Sequence, residues 1–384
     1  MRTTKHILFI LFFLVLLTEQ FQYFKPWNLA RNLKGYFTLA NKPELSLDSW
    51  MSGNYQEQEM KYYEQEMYSH AFLIRFRNQI SYSLFNEIYA LNVEEGKEHV
   101  LYSGAYIESY FGDDFVGSKN VAVKTEKLAY VQTELKKRNV DLVFVLAPGK
   151  PSVMPEFLSE KYDLSKKTKN NHDAFAEEFE KEKINYIDIT GYFNKIKSTC
   201  KYPLFTKCGV HWSGYGCTLA ADTTFKYIEK LRKIDLRDYY DAGGEESCIP
   251  RYTDNDLGDL ADLLVDIPSG KMYYPKIVFK NDPAKVKPNV LIIGDSFVWS
   301  WISFYSYIPN LCNDKTAFWY YNHNIAWGPG SESTTLTKDL DLKKETFSRD
   351  VILIVNTEPS MSDPGQFFIT KMYGLLKKEE ENNK

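Results

Sequence analysis

The sequence lacks an excess of basic residues. Its 47 lysines and arginines are outnumbered by 51 aspartates and glutamates, so the formal net charge is -4. A protein that binds nucleic acid through phosphates usually presents a strongly basic surface. The charge balance therefore gives no support to nucleic acid as a partner. Internal repeats and low-complexity tracts are also missing, and the 384 residues suffice for one large or two modest domains.

The sequence also lacks a Cys-x-x-Cys motif, and its cysteines are few and odd in number. Three of the five lie close together with a single histidine, His211, among them, which does not predict a zinc site. Pairing among the cysteines stays open for an exported chain, but the odd count leaves at least one thiol unpaired or bonded to another molecule. The five are Cys200, Cys208, Cys217, Cys248 and Cys312.

The N-terminus has no small-x-small cleavage site after its apolar run. The run "ILFILFFLVLL" (7–17) follows Arg2 and Lys5 and covers only about 16 Å as a helix, which is short for a bilayer span. A secretory signal fits this length. We predict that residues 1–25 form an export signal that is retained as an anchor, with the body outside the cytoplasm. The alternative is an amphipathic or buried start of a cytosolic protein.

Aromatic residues are abundant, at 16% of the chain, with 28 Tyr, 25 Phe and 7 Trp. Tyr and Trp combine an apolar body with a polar group, which suits carbohydrate faces and interfaces. Compositional bias of the source genome explains the same excess equally well.

The pattern beyond residue 25 predicts one α/β domain behind a linker. Residues 26–90 are read as a membrane-proximal linker with helices, and 91–376 as the α/β domain. An irregular, polar insertion is predicted at about 235–285, and 377–384 as a charged tail.

Strands and helices alternate through this domain, which predicts a doubly wound, mostly parallel sheet flanked by helices. The segment 99–112 is read as short strands and turns. Helices are predicted over 70–85, 121–139, 172–184 and 214–234. Strands are predicted over 140–148, 185–190, 290–293 and 351–356.

The stretch "LIIGDSFVWS" (291–300) places Ser296 just past a buried strand. Functional groups collect at the carboxyl ends of parallel strands. Gly294 permits a tight turn, and a serine at a helix N-terminus presents its own N–H to a developing oxyanion. A serine that merely caps a helix is the competing interpretation, because Ser and Asp are the usual caps.

A nucleophilic serine needs a base, and His211 is the best placed of six histidines. It lies in "FTKCGVHWSGYG" (205–216), a glycine-rich loop directly before a predicted helix. His323, among polar residues after Ser296, is the rival base. The competing interpretation is a histidine packed against Trp212.

These motifs together resemble the SGNH-hydrolase-like proteins of the alginate O-acetyltransferase family, also called the DHHW family. The resemblance rests on "GDSF" (294–297), "HWSGYG" (211–216) and a Pro-x-Lys segment through Pro148 and Lys150. The motifs occur in the family's order, and the likeness spans about residues 50–360.

The resemblance implies an SGNH-like α/β fold with Ser296 as nucleophile and His211 as base. Gly294, Asp295 and Trp212 are carried over as supporting residues. It further implies acetyl transfer to a hydroxyl of an exported polysaccharide through an acetyl-serine, with no metal or other cofactor. The implied partners are the polysaccharide, the membrane, and a multi-spanning membrane acyltransferase that supplies acetyl groups. An acetyl esterase and a non-catalytic scaffold subunit remain alternatives.

The sequence departs from the family at Gly209, where an aspartate normally completes the triad. Without a carboxylate, the imidazole lacks the group that fixes its tautomer. Three possibilities follow: a backbone carbonyl orients His211, a carboxylate from elsewhere does so, with Glu358 as one guess, or the site is weakened. Loss of this carboxylate costs about 10⁴ in rate in serine proteases.

Four further residues lie near presumed strand ends or in the Pro-x-Lys segment. They are candidate contacts to the oxyanion or the substrate, with a structural role as the simpler interpretation of each. They are Asn356, Asn322, Tyr321 and Lys150.

Overall fold

The fold is described from a computed structural model, which covers residues 2–25, 27, 32–35 and 40–382. Parts of the predicted linker (26, 28–31 and 36–39) and the end of the predicted tail (383–384) lie outside the described residues. The helices are α1 (Arg2–Phe24), α2 (Leu47–Met51), α3 (Asn54–Glu66), α4 (His70–Phe85), α5 (Gly104–Phe111), α6 (Ser118–Lys136), α7 (Lys150–Val153), α8 (Asn171–Lys181), α9 (Ile189–Ile196), α10 (Gly214–Arg232), α11 (Asp256–Leu260), α12 (Tyr307–Leu311), α13 (Leu342–Phe347) and α14 (Phe368–Asn382). The strands are β1 (Val93–Glu95), β2 (Leu101–Ser103), β3 (Asp141–Ala147), β4 (Tyr186–Asp188), β5 (Tyr239–Asp241), β6 (Glu245–Ser247), β7 (Met272–Tyr274), β8 (Ile277–Phe279), β9 (Val290–Gly294), β10 (Ala317–Tyr320), β11 (Asn324–Ile325) and β12 (Val351–Thr357).

A six-stranded sheet in the order β11-β10-β9-β12-β3-β4 forms the centre of the α/β domain. β10 and β11 pair antiparallel, and every other neighbouring pair is parallel. The sheet is therefore mixed but mostly parallel, as the alternation of strands and helices predicts.

Both faces of this sheet are covered, and the strand sequences show why. In β3, Val143 and Val145 pack into the core on one face, whereas Leu142 and Phe144 pack into the core on the other. Successive side chains of a strand point to opposite faces, so a strand buried on both faces needs a continuous apolar run. The first core includes side chains of α9 and α10, and the second includes those of α6, α8 and α14.

The four predicted strands are confirmed as β3, β4, β9 and β12, and the four predicted helices as α4, α6, α8 and α10. The expectation for 99–112 was wrong over residues 104–111, which form helix α5. Its apolar residues Ile107, Tyr110 and Phe111 recur three to four positions apart and are buried together. This helical spacing was obscured by the short strand β2 directly before it.

Two regions predicted to be irregular contain regular elements. The insertion at 235–285 holds the two-stranded pairs β5–β8 and β6–β7 together with α11. The described part of the predicted tail, 377–382, continues helix α14.

The chain forms two compact units. One consists of the described residues of 1–93 with 257–267, and the other of those of 94–256 with 268–384. In the first unit, buried Arg75 holds the 257–267 segment against α4. Its guanidinium lies 2.6 Å from the Asp262 carboxylate and donates a hydrogen bond to the Leu263 carbonyl.

Helix α1 contains the apolar run that predicts an export signal. None of the helices that the described residues form is both long enough and apolar enough to cross a membrane. Cys200, Cys217, Cys248 and Cys312 are free thiols in the structure. Cys208, Cys217 and Cys312 are buried, Cys200 is half-buried and Cys248 is exposed.

Candidate active site

Ser296 lies at the carboxyl end of β9, at a turn that glycine makes possible. A Cβ atom at Gly294 would lie 2.7 Å from the Val355 carbonyl oxygen, so only glycine lets β9 approach β12 this closely before the chain turns. Ser296 then opens a short 3₁₀ helix, Ser296–Val298. The first N–H groups of a helix have no intrahelical acceptor, and the Ser296 N–H is one of these.

The Asp295 carboxylate fixes this turn through three hydrogen bonds. Its Oδ1 accepts from the Phe297 N–H at 3.1 Å, and its Oδ2 accepts from the N–H and the hydroxyl of Thr357 at 3.1 and 2.7 Å. Asp295 is fully buried, and burial raises its pKa despite these hydrogen bonds. It is therefore a structural capping residue that ties the serine turn to the end of β12.

His211 lies on a loop that is pinned on both sides. Phe205 and Trp212 form an isolated antiparallel bridge, and the Ser213 N–H donates to the Leu204 carbonyl. The Ser213 hydroxyl caps α10 by accepting from the Gly216 N–H at 3.0 Å. The loop thus leads directly from a fixed bridge into a capped helix, which leaves His211 little freedom.

Trp212 links the histidine loop to the serine helix. Its indole N–H donates to the Ser300 hydroxyl at 2.8 Å, and its ring stacks on Trp301 at 5.3 Å between centroids. The Phe297 ring packs against both the His211 ring and the Trp212 ring. Trp212 therefore supports the site from within the core.

Three side chains form a hydrogen-bonded Ser-His-Asp array. His211 Nε2 lies 2.8 Å from Ser296 Oγ, and His211 Nδ1 lies 2.7 Å from Asp256 Oδ2. Asp256 Oδ1 accepts from the Val210 N–H at 2.8 Å. An acceptor carboxylate at Nδ1 assigns the ring proton to that nitrogen, which leaves Nε2 free to take the serine proton. His211 is 8% exposed, so its ring is largely shielded from water, whereas Ser296 and Asp256 are half-buried.

The carboxylate that bonds His211 belongs to Asp256, the first residue of α11. The residues just before it, 253–254, fill the space beside Gly209. A Cβ atom at Gly209 would lie 2.6 Å from Thr206 Oγ1, 2.7 Å from the Thr253 carbonyl oxygen and 2.9 Å from that of Asp254. The 253–254 backbone therefore occupies the space that a side chain at position 209 would need. The same packing that excludes an aspartate there brings Asp256 to His211.

Gly209→Ala is expected to lower the free energy of unfolding by about 1–3 kcal/mol, because the added methyl group overpacks the 206–254 contact. Chemical denaturation measures the change. Gly374→Ala is the matched control, since a Cβ at that position in α14 meets no atom within 4 Å. There, alanine is expected to stabilise the helix by up to about 1 kcal/mol. Equal stability of Gly209→Ala and the wild type would contradict the packing argument.

Tyr321 lies beside the nucleophile on a strained turn. Residues 321–323 join β10 to β11, and Tyr321 and Asn322 have φ of 50° and 48°. A bulky tyrosine is a conformational outlier at such a φ. The Tyr321 N–H donates to the Gly294 carbonyl at 2.8 Å. Burial raises the pKa of the Tyr321 hydroxyl, whereas hydrogen bonding with the Ser296 side chain lowers it. The phenol is thus held neutral within reach of Ser296.

The other candidate residues make structural contacts. The Asn356 carbonyl oxygen accepts from the Gly365 N–H at 2.8 Å, and the Asn322 amide donates to the Gln366 carbonyl at 2.7 Å. His323 is exposed, while His211 holds the position next to Ser296.

Lys150 is buried and donates its hydrogen bonds to backbone carbonyls. Its amine donates to the carbonyls of Leu101 and Lys207, at 2.7 and 3.1 Å, and burial lowers its pKa to about 7. Lys207 belongs to the loop that carries His211. The Pro-x-Lys segment therefore helps to fix the histidine loop.

Glu358, the carboxylate guessed from the sequence, does not orient His211. It is buried and accepts from the Gly149 N–H at 3.1 Å and the Ser152 hydroxyl at 2.8 Å. The choice of Glu358 was therefore wrong. A carboxylate from elsewhere in the chain, that of Asp256, does reach His211. Asp256 lies in the insertion that was read as an irregular loop, where only the acidic run "DNDLGD" (254–259) marks it.

The sequence matches the family described as "SGNH hydrolase-like domain, acetyltransferase AlgX" over residues 96–311. A comparison with curated proteins found no significant match.

Among solved structures, the chain resembles the O-acetyltransferase domain of Pseudomonas putida AlgJ. The TM-score is 0.50 with 14% identity, over 74% of this chain and 99% of that one. Pseudomonas aeruginosa AlgX gives a TM-score of 0.45 with 12% identity, over 71% and 66% of the two chains. A Bacillus cereus PatB1 structure with a sulfonyl adduct gives 0.46 with 13% identity, over 72% and 99%.

The likeness to AlgJ supports the fold alone, since the identity is low. The family match, in contrast, spans more than half of the chain and includes both His211 and Ser296. It ends before Tyr321, and it contains Asp256 although the aspartate is not at the family's usual position. The chain belongs to the family of SGNH hydrolase-like acetyltransferase domains represented by AlgX.

Proposed function

We propose that this protein transfers an acetyl group from a donor to a hydroxyl of an exported polysaccharide, with Ser296 as the acetyl carrier. The observation that carries the proposal is the array Ser296–His211–Asp256, with both hydrogen bonds of His211 at 2.7–2.8 Å, inside a domain of an acetyltransferase family. A nucleophile, a base and an orienting group in this geometry support acyl transfer.

In the first half-reaction, Ser296 Oγ attacks the acetyl carbonyl carbon while His211 Nε2 takes the hydroxyl proton. Asp256 stabilises the imidazolium that forms. The tetrahedral intermediate collapses when the bond to the donor's leaving group breaks, and His211 returns its proton to that group. The products are acetyl-Ser296 and the deacylated donor.

In the second half-reaction, a sugar hydroxyl replaces the leaving group. His211 Nε2 takes the proton of this hydroxyl, whose oxygen attacks the acetyl-serine carbonyl. Collapse of the second intermediate breaks the bond to Ser296 Oγ, and His211 returns the proton to that oxygen. The cycle ends with free Ser296 and an acetylated sugar, and no proton is gained or lost.

We propose two donors to the oxyanion of both intermediates. One is the Ser296 N–H at the start of its helix. The other is the Tyr321 hydroxyl, which the hairpin turn holds beside Ser296. This assigns the strained turn a function, because strain of this kind persists where the surrounding structure enforces it.

Tyr321→Phe is expected to lower turnover of an activated acetyl ester by about 10²-fold, as loss of one oxyanion donor does elsewhere. The ring is retained, so the unfolding midpoint is expected to stay at the wild-type value. Steady-state kinetics and thermal unfolding of the same preparation measure both quantities. Wild-type turnover in this variant would remove Tyr321 from the oxyanion hole.

The proposal is tested by trapping the intermediate. The protein is incubated with an activated acetyl ester, quenched in acid, digested and mapped by mass spectrometry. Acetyl-Ser296 is expected in the wild type and is expected to disappear on addition of an oligosaccharide acceptor. No acetylated serine at this position in any time point would refute the covalent mechanism.

An acetyl esterase shares the first half-reaction and differs only in using water as the acceptor. Release of free acetate at the same rate with and without an oligosaccharide would favour this second function. A non-catalytic scaffold was suggested by Gly209, and Asp256 removes that support because a carboxylate does reach His211.

Export is part of the proposal. The side chains Ile7 to Leu14 of α1 are exposed, and a contiguous apolar surface of this kind is unusual on a free soluble protein. We propose that residues 1–25 direct the chain out of the cytoplasm and keep it at the membrane. The acetyl donor is then supplied there by a membrane acyltransferase. Protease accessibility of the folded domain in intact and permeabilised cells tests the placement.

A further inference from the structure

A cavity of about 490 Å³ lies in the same unit as the Ser-His-Asp array, between the insertion and the end of a second helical turn, Ser300–Phe304, that follows the 3₁₀ helix of Ser296. Its volume falls in the range of small-molecule sites. Residues from both elements line it, among them Tyr252, Tyr274, Lys276, Phe304, Tyr305 and Ser306. None of these residues takes part in the proposed acetyl-transfer chemistry.

The two segments that carry the nucleophile and the carboxylate both lead to this cavity. Tyr252 precedes Asp256 by four positions, and Phe304 follows Ser296 by eight. Tyr274 joins the cavity wall to the Asp256 segment, because its hydroxyl donates to the Asp254 carboxylate at 2.6 Å and accepts from the Arg251 N–H at 3.0 Å. The cavity and the catalytic array are thus built from the same pieces of chain.

An exposed aromatic face forms one wall. Tyr252 stacks on Phe304 with centroids 4.4 Å apart and planes 14° from parallel, yet the tyrosine is 57% exposed. Phe304 covers one face of the Tyr252 ring, and the other face is a flat apolar platform that is open to solvent. The apolar face of a sugar ring matches such a platform.

Hydrogen-bonding groups surround this platform, as a polyhydroxylated ligand requires. The Arg251 guanidinium and the Glu245 carboxylate pair at 2.5 Å on the rim and offer donors and an acceptor. The Lys276 and Asn310 side chains add further polar groups.

Two of the fourteen described non-glycine residues with left-handed φ line this cavity. Tyr252 and Ser306 both line the cavity and both have left-handed φ, at 56° and 54°. A residue other than glycine rarely adopts this conformation, and such residues cluster at ligand sites because the surrounding structure must enforce them.

From these observations we infer that the cavity is a distal subsite that binds a sugar ring of the acceptor chain by stacking it on Tyr252. This inference rests on the proposed polysaccharide acetyltransfer and extends it. A second anchoring point away from Ser296 would hold the polymer in place while one of its hydroxyls reacts. It would also brace the segment that carries Asp256.

Binding is measured without chemistry, in the full-length Ser296→Ala protein kept in a mild non-ionic detergent. The probes are two hexasaccharides, uncharged cellohexaose and acidic hexamannuronate, titrated by calorimetry. At least one is expected to bind. Adding Tyr252→Ala is expected to weaken binding by about tenfold or more, and Tyr252→Phe is expected to restore it because the ring is retained.

Tyr240→Ala is the matched control, since Tyr240 on β5 is 50% exposed but does not line the cavity. It is expected to bind like the parent. Absence of binding by both probes, or equal affinity of Tyr252→Ala and Tyr240→Ala, would overturn the inference. The result is independent of the trapping experiment: sugar binding without acetyl-Ser296 would keep the subsite and refute the acetyl-serine mechanism.

Discussion

Ser296→Ala is expected to lower turnover of an activated acetyl ester by about 10⁶-fold, as removal of the nucleophile does in a serine protease. The alanine removes the oxygen that lies 2.8 Å from His211 Nε2 and that is proposed to take the acetyl group. Steady-state assays with large enzyme excess, together with the mass map of the acetylated peptide, measure the loss.

Ser303→Ala serves as the control, because this serine lies on the same helical segment but is exposed and bonds the Trp327 carbonyl. It is expected to turn over close to wild type. A Ser296→Ala protein that retained a large part of the activity would move the chemistry to another residue.

Asp256→Asn is expected to lower turnover by about 10⁴-fold, equivalent to about 5.5 kcal/mol of transition-state stabilisation. Asparagine fits the site, and its carbonyl oxygen can still accept from one N–H. However, it lacks the charge that stabilises the imidazolium, and its amide favours the wrong tautomer of His211. The acetyl-serine peptide is therefore expected to accumulate far more slowly in this variant.

Asp282→Asn is a suitable control for the loss of one negative charge from the insertion. Asp282 is exposed and its Oδ1 accepts from the Ala284 N–H, a role that asparagine also fills. Its turnover is expected to match the wild type. If Asp256→Asn loses less than tenfold, His211 is oriented by something other than this carboxylate.

The central sheet could be predicted from the sequence because its strands are buried on both faces. Runs such as "VDLVFVLAP" and "VILIVN" have no polar interruption, and this is the property that packing against helices on both sides demands. The helix at 104–111 could not be predicted from the sequence, because it is short and directly follows a strand that is also buried.

The nucleophile and base could be proposed because each lies in a motif with local structure. Ser296 follows a glycine at a strand end, and His211 precedes a capped helix, and both signals are contained in a few consecutive residues. The link between the two, 85 positions apart, came from the family resemblance and not from local physics.

The carboxylate could not be found in this way. Asp256 reaches His211 across 45 positions, from a segment with no regular hydrophobic pattern. Many acidic residues of the chain would have satisfied the same chemical requirement. Only the tertiary packing of Thr253 and Asp254 against Gly209 selects this one, and such packing leaves no signal in spacing or composition.

Because Asp256 lies on α11, the catalytic array is expected to be less stable to local unfolding than the central sheet. Ser296 and His211 are held by the central sheet and α10, whereas the carboxylate depends on a five-residue helix and the contact at Gly209. Local openings need less free energy than global unfolding. We therefore expect turnover to decline on warming before the central sheet loses its structure.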